Sequence, residues 1–446
     1  MNNKINIAIV GFGNIGSYFY KTLKQDAKKI FTKTGRIPVV KYISAKNIYK
    51  KRKIKIPKSK WVKNPLNLTF DKNVDIVIEL IGGSDGMAKK IVYSALKNKK
   101  NVITANKALI AKHGDKLALI AEKNKVNLGY EASVAGGIPI IRSIKEGLIA
   151  NKINKIYGIL NGTTNYILSN MEKNGKNFSD VLLSAKRKGY AETNPDSDLN
   201  GNDSASKLRI LSSIAFNKTI SKNKILTEGI KKLDQIDIVH AKNLGYKIKL
   251  LAISEIINNK LLERVHPCLV SKKSYIGGIN GILNAVVIDG MPVGKTVLQG
   301  EGAGPGPTTS ALISDLCSIL KGDIKYPFGV SHSLRKKINK FDLSVRVCSS
   351  YLRIEVKDKP GVLSSITKIF SKNKISIKNL IQIPDKKKRK ASIVIITHKT
   401  LENNYKNLLV NLAKNKFVLS KPTFIRVEKI WMDIDKKFIE SFVQVT

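Results

Sequence analysis

Asp203 and Lys207 stand four residues apart in a run that reads as an amphipathic helix. At about 100° per residue, with Lys207 at zero, Asp203 falls at about −40°, Leu211 at about +40°, Ile214 at about −20° and Ile210 at about −60°. Arg209 lies across the helix, at about 200°. Lys207 therefore points along the apolar stripe. An ammonium on a buried face must be paired, deprotonated or turned into a cavity, because burying a lone charge is prohibitive. Such a lysine is a candidate for proton transfer. Lys107 is the second candidate. It follows the apolar strand Asn101–Thr104 and the pair Ala105-Asn106. Ligands of open α/β sheets bind beyond the carboxyl ends of the strands. Ser84, after the strand Asp75–Ile81 and Gly82-Gly83, falls at the same end.

A phosphate-binding turn opens the chain. Ile5–Val10 is a short apolar run, as for a strand buried on both faces, and Gly11-Phe12-Gly13-Asn14-Ile15-Gly16 follows it at once, ahead of a helical stretch. Gly11 permits the tight turn, Gly13 lets backbone approach a pyrophosphate, and Gly16 lets helix and strand pack closely. The diphosphate then meets the amides and positive dipole of the helix N-terminus. A second strand, Val39–Ser44, ends at Ala45-Lys46-Asn47, where an acidic residue would hold the ribose of NAD; none is present. Lys46, with Lys50, Lys51 and Arg52 nearby, favours NADP over NAD.

These residues need three units to position them. Residues 1–134 alternate strand and helix as a Rossmann dinucleotide-binding domain, completed by about residues 302–330. Residues 135–301 form a mixed α/β catalytic domain. The small-residue segment Glu131–Pro139 spans the boundary at its start, and within it lie the strand Lys155–Leu160 and the turn Asn161-Gly162-Thr163-Thr164-Asn165. The stretch Gly189–Asp203 follows, with Asn202 as the expected helix cap. Gly300–Pro307 precedes a helix expected to be capped by Thr308 or Thr309. A basic linker, residues 331–349, leads to residues 350–430, whose β-α-β-β-α-β order is ferredoxin-like. Residues 431–446 are a tail. The fold class is α/β followed by α+β.

Composition excludes other chemistries. Three cysteines and five histidines are scattered through 446 residues, so neither a disulfide framework nor a thiolate or imidazole metal cage is available. The net charge of +47 comes from 80 Lys and Arg against 33 Asp and Glu. That excess is mostly lysine spread through every segment, which reads as solvated faces with no specific nucleic-acid partner. No leader and no stretch long and apolar enough for a membrane span is present, so no membrane partner and a cytoplasmic location are expected.

The motifs together resemble the homoserine dehydrogenase family, in its long bacterial form with a C-terminal ACT domain. The resemblance covers nearly the whole chain. It is carried by GFGNIG, TANK (Thr104–Lys107), Glu131–Pro139, LNGTTNYIL (Leu160–Leu168), GYAE…DLNGNDSASK (Gly189–Lys207), GAGPGPT (Gly302–Thr308) and DKPGVL from Asp358. It implies NAD(P)-dependent interconversion of L-homoserine and L-aspartate 4-semialdehyde, on the route to threonine, methionine and isoleucine. By position it implies cofactor contacts at Phe12, Asn14, Ile15, Ser84, Lys107 and Gly302. Glu192 would hold the substrate ammonium and Lys207 would donate the proton. Asp198 and Asp203 would orient substrate and lysine, with Lys107 and Thr163 beside the substrate. Glu131, Val134, Gly136 and Ile138 match a sodium-like monovalent-cation site built largely from backbone carbonyls. The resemblance also implies a homodimer or homotetramer, with dimerisation through residues 135–301, and an amino-acid effector, threonine, at the ACT domain near Gly361. No kinase module precedes the Rossmann part, so the expectation is a monofunctional chain. One departure stands out: the family's proline right after the glutamate is delayed here to Pro195, behind Thr193-Asn194.

Overall fold

A computed structural model describes residues 3–429 except Lys53 and residues 386–388; the expected tail and most of the basic run at 386–390 lie outside the described residues. The first unit is a parallel sheet of β1 (Lys4–Val10), β2 (Ile37–Ser44), β3 (Ile76–Glu79), β4 (Asn101–Thr104) and β5 (Leu128–Gly129). Its spatial order is β2-β1-β3-β4-β5, so the strand order reverses between β1 and β3 and opens a crevice there. Alternate residues supply two cores. Ala8, Val10, Val77 and Val102 face one side, and Ile7, Ile9, Ile78 and Ile103 face the other. Each fully buried aliphatic side chain contributes about 1.5–3 kcal/mol. The helix Pro305–Leu320 returns from far along the chain to cover the second face with Leu312, Leu316 and Leu320.

That helix starts at Pro305, behind Gly304 at φ 111°, and not at the expected threonines. Proline lacks an N–H, but the first turn of a helix has no internal use for one, so Pro305 and Pro307 sit inside it. The helix Asn202–Ala215 likewise begins one residue early. Its cap is Gly201, at φ 83°, so Asn202 is its first helical residue.

Among the described residues the second sheet has eleven strands. They are β6 (Lys152–Ile159), β7 (Leu226–Thr227), β8 (Tyr246–Ile257), β9 (Lys260–Ser271), β10 (Leu283–Met291), β11 (Gly294–Glu301), β12 (Val347–Lys357), β13 (Ile377–Asp385), β14 (Lys390–Thr397), β15 (Thr400–Leu401) and β16 (Thr423–Val427). The main path runs β11-β10-β6-β8-β9-β16-β12-β14-β13, with β7 on β9 and β15 on β12. The last four strands of that path are the ferredoxin-like unit, and they continue the sheet of the middle unit. β16 pairs in parallel with β9 through Arg426 opposite Cys268 and Val427 opposite Leu269. The 331–349 connection is laid onto the body and does not hang free. Arg335 is buried, its guanidinium stacked 3.9 Å from the Phe328 ring centroid and paired with Asp115 at 2.8 Å. Among the described residues no helix is long and apolar enough to cross a membrane.

Candidate active site

The helix Asn202–Ala215 does place Lys207 inward, at 8% exposure. Its Nζ lies 2.8 Å from Asp203 Oδ2 and donates to the Leu160 carbonyl at 2.7 Å. The other carboxylate oxygen of Asp203 meets Lys107 Nζ at 2.7 Å. Two ammonium groups from different units thus share one buried carboxylate. Burial alone would raise the Asp203 carboxyl, but Lys207 and Lys107 outweigh it and hold it well below the usual carboxylate range. Burial works against the Lys107 ammonium too, yet Asp203 outweighs it and raises its pKa above the ordinary lysine value. Lys107 is nonetheless 43% exposed at its side chain, so it reaches solvent where Lys207 is held behind.

Asn161, buried after β6, builds the wall of this site. Its Oδ1 caps the helix Gly162–Asn174, accepting from Thr164 N at 2.9 Å. Its amide nitrogen donates to Asp198 at 2.8 Å and to Asp203 at 3.0 Å, binding the two carboxylates side by side. Burial, then the charge of Asp203, raises the Asp198 carboxyl. Thr163 turns its hydroxyl to the Tyr190 carbonyl at 2.7 Å and so latches the Gly189–Glu192 loop. Glu192 is exposed and makes no hydrogen bond or ion pair among the described residues; its charge and that of Asp198 both support the Lys107 ammonium. The delayed Pro195 is buried and starts the short helix Asp196–Leu199 that carries Asp198.

At the glycine turn the three glycines differ. A Cβ on Gly11, at φ 106°, would sit 2.7 Å from the Leu80 backbone, and one on Gly16 would sit 2.2 Å from the Gly11 carbonyl. A Cβ on Gly13 would meet nothing within 4 Å, which leaves room for a ligand over the start of the helix Asn14–Gln25. Phe12 is buried against Tyr20 and Trp61, so only its backbone faces that room, and Ile15 packs beside the same cluster. Lys46 is exposed beyond β2. Arg52, by contrast, is fixed. Its guanidinium lies 4.8 Å from a Trp61 ring centroid and donates to the carbonyls of Asn47 at 2.7 Å and Phe12 at 3.4 Å.

Glu79, wholly buried at the end of β3, organises the opposite lip. It accepts from the amides of Ile81 at 2.8 Å and Gly82 at 2.9 Å, and from the Thr104 hydroxyl at 2.6 Å. Asn106 caps the helix Lys107–Asn124 and donates to the Gly83 carbonyl at 2.7 Å. The loop bearing Ser84 and the helix bearing Lys107 are thereby joined. Ser84 itself donates to Asp85 at 2.7 Å.

The turn Glu131–Ile138 braces the floor. The Glu131 carboxylate accepts the amides of Ile141 at 2.9 Å and Arg142 at 2.8 Å; burial and the neighbouring Asp315 push it up to about 7. Its side chain is therefore spent. What this turn can offer a cation is backbone oxygen, from buried Val134, Gly136 and Ile138 and from Glu131 itself. The Glu131 and Ile138 carbonyls each also accept an amide. Gly137 N donates to the Glu301 carbonyl at 2.9 Å, next to Gly302. A Cβ on Gly302 would overlap the side-chain amide of Asn284, a buried group whose nitrogen and oxygen have no partner among the described residues.

A family model for the homoserine dehydrogenase NAD-binding domain matches residues 11–131, one for homoserine dehydrogenase matches residues 139–317, and one for the ACT domain matches residues 350–414. A homoserine dehydrogenase of Neisseria gonorrhoeae is 38% identical over 435 residues, covering 96% of this chain and 99% of its own. The chain belongs to the homoserine dehydrogenase family. A Helicobacter pylori homoserine dehydrogenase is also 38% identical, over 96% of this chain and all of its own. The crystal structure of a homoserine dehydrogenase from Thiobacillus denitrificans superposes with a TM-score of 0.89 at 35% identity, over 96% of this chain and 99% of that one. Membership makes the chain an oxidoreductase with a nicotinamide cofactor and a C-terminal ACT domain.

Within that family frame, Glu79, Asn161 and Asn284 are polar groups whose roles no local pattern gives. Glu79 had a visible signal, an acid inside the buried run Asp75–Ile81, since a buried carboxylate must be satisfied. Asn161 is marked only as part of the turn Asn161–Asn165, and Asn284 not at all, because their side-chain neighbours come from distant segments.

Proposed function

We propose that the chain interconverts L-homoserine and L-aspartate 4-semialdehyde, with Lys207 as proton donor and acceptor. The shared carboxylate of Asp203 carries this reading, because it fixes an inward lysine and a crevice-facing lysine around one small space. The bound dinucleotide supplies or removes the hydride at the reacting carbon. In reduction, negative charge gathers on the aldehyde oxygen, and a cation held there stabilises it. Lys107 serves as that cation and Lys207 gives the proton. In oxidation an unprotonated Lys207 takes the hydroxyl proton. Asp198 and Glu192 face the substrate ammonium, and Thr163 holds the loop that carries Glu192. Asn161 keeps Asp198 and Asp203 at a fixed spacing.

Homoserine-dependent reduction of NADP+ or NAD+, followed at the nicotinamide absorbance, tests the reading. Measurable turnover with homoserine and none with other small hydroxy amino acids is expected. No reduction of either coenzyme would overturn it.

NADP is the favoured coenzyme. Arg52 supports this, because it is clamped beside the glycine turn with Lys46 on the same side, where a 2′-phosphate is to be neutralised. Replacing Arg52 with alanine should weaken NADP+ binding by about tenfold or more while changing NAD+ binding little. Fluorescence titration with both coenzymes checks this, and equal losses for the two would refute it. The turn Glu131–Ile138 fits a sodium-like cation through its all-oxygen backbone donors, which would lock the turn under Gly302. The ACT match supports an amino-acid effector, with threonine the reading taken, beside Gly361 at φ 84° before the helix Val362–Lys372. A homodimer or homotetramer in the cytoplasm completes the proposal.

A further inference from the structure

The join between the middle unit and the ACT unit is a line of alternating charges. Lys155 pairs with Glu255 at 3.2 Å, and Glu255 with Arg264 at 2.6 Å. Arg264 reaches Glu428 at 3.3 Å, and Arg346 connects Glu428 to Glu402. Arg426 on β16 bonds Glu402 through Nε and, through Nη1, Glu228 at 2.9 Å. Most of these groups are buried, and burial of a guanidinium demands that its carboxylates stay in place.

The last pair leads back to the active site. Glu228 follows β7, and its amide donates to the Val265 carbonyl on β9 at 2.8 Å. Gly229 presses on Leu199 so closely that a Cβ would stand 2.1 Å from the Leu199 oxygen. Ile230 N donates to that same oxygen at 2.9 Å. Leu199 ends the helix that carries Asp198. Gly201, two residues on, packs on Thr227 and Val265, with 3.1 Å left for a Cβ against each, and Asp203 comes next but one. Residues 226–230 are therefore the bed on which the Asp198–Asp203 turn lies.

We infer that Arg426, an ACT-unit residue, is a positioning residue for the reaction: through Glu228 it fixes residues 226–230 and so sets Asp198 and Asp203. The inference rests on the proposed roles of those two aspartates. The Glu228 side chain is 40% exposed, so its ion pair adds little to global stability, and its use is geometric. An effector that displaced β16 would displace the two aspartates with it.

The full-length protein tests this with Glu228→Gln, Arg426→Met, Arg426→Lys and the Glu228→Gln/Arg426→Met double variant. Two readouts are taken: steady-state kinetics with homoserine, and hydrogen exchange at the Ile230 amide without substrate. Glu228→Gln and Arg426→Met should each raise the homoserine KM by about three- to tenfold. Coenzyme affinity should hold, Ile230 should exchange faster, and the double variant should be no worse than the worse single one. Arg426→Lys should recover part of the loss. Glu228→Gln also keeps the test open if Arg426→Met folds poorly, since it leaves the Arg426–Glu402 contact intact. An unaltered KM and unaltered Ile230 exchange in Glu228→Gln, or full additivity in the double variant, would overturn the inference. An active Lys207→Ala protein with altered Ile230 exchange in Glu228→Gln would sink the proposed chemistry and keep the mechanical tie. Normal exchange in Glu228→Gln beside an inactive Lys207→Ala would do the reverse.

Discussion

Lys207→Ala should lower turnover by about two to four orders of magnitude, the usual worth of a positioned general acid-base. Coenzyme affinity should barely change, because the glycine turn and Arg52 lie on another element and make no contact with Lys207. The variant should also fold. Alanine leaves Asp203 with Lys107 at 2.7 Å and Asn161 at 3.0 Å, so the carboxylate keeps two partners. Two measurements separate a chemical role from a structural one. Stopped-flow traces should show the loss in the hydride step itself. Added methylamine should restore part of the variant's turnover, since it returns an amine to the space the side chain leaves. A variant within tenfold of the parent, unmoved by added amine, would remove Lys207 from the mechanism.

The second large effect is expected from Asp203→Asn. Each polar group that the structure places against this carboxylate is a donor: Lys207 and Lys107 ammonium, and the Asn161 amide nitrogen. An asparagine must turn its own NH2 toward one of them, so isosteric replacement leaves a donor facing a donor and two cations without the anion that joins them. Breaking a buried pair in this way costs about 3 kcal/mol or more. Turnover should fall by about hundredfold or more, as Lys207 and Lys107 lose their common anchor. The sign of the pH effect follows from the carboxyl being held below its ordinary range in the folded chain. Its contribution to stability is complete above about pH 4, the unfolded value, and is lost as pH falls toward the folded one. The gap in Tm between parent and Asp203→Asn should therefore be widest near neutrality and narrow below about pH 4. A gap that stays constant from neutral pH down to about pH 3 would show that the two lysines are not what holds this group.

How much of this was legible beforehand depends on the range of the interaction. The strand Asn101–Thr104 is readable to the residue, because apolar runs and their punctuation are local. The inward position of Lys207 is readable too, since helical phase alone sets it against Ile210, Leu211 and Ile214. The start of the helix at Pro305 is not, because two prolines and a glycine read as a rigid turn until the tolerance of a first turn for proline is counted. The bonds from Asn161 to Asp198 and Asp203 span about forty residues and leave no periodic trace. Arg335 is one basic residue among many in a lysine-rich stretch, and its stacking on Phe328 and its pairing with Asp115 mark it as different. The parallel pairing of β16 with β9 is equally silent, since hydrogen bonding along a strand edge uses backbone that every sequence possesses.

That shared edge has a consequence for modularity. A sensor joined by a tether can be cut off, exchanged or shuffled between proteins with the catalyst left whole. Here the ACT unit's strand β16 is also the next rung of the catalyst's own ladder; Arg426 on it neutralises Glu228, and Glu428 just after it neutralises Arg264. A transplanted replacement would have to bring a strand of the same direction and the same charges, or leave an open edge with stranded ions along it. The ACT unit and the hydride chemistry are thus constrained to evolve as one piece.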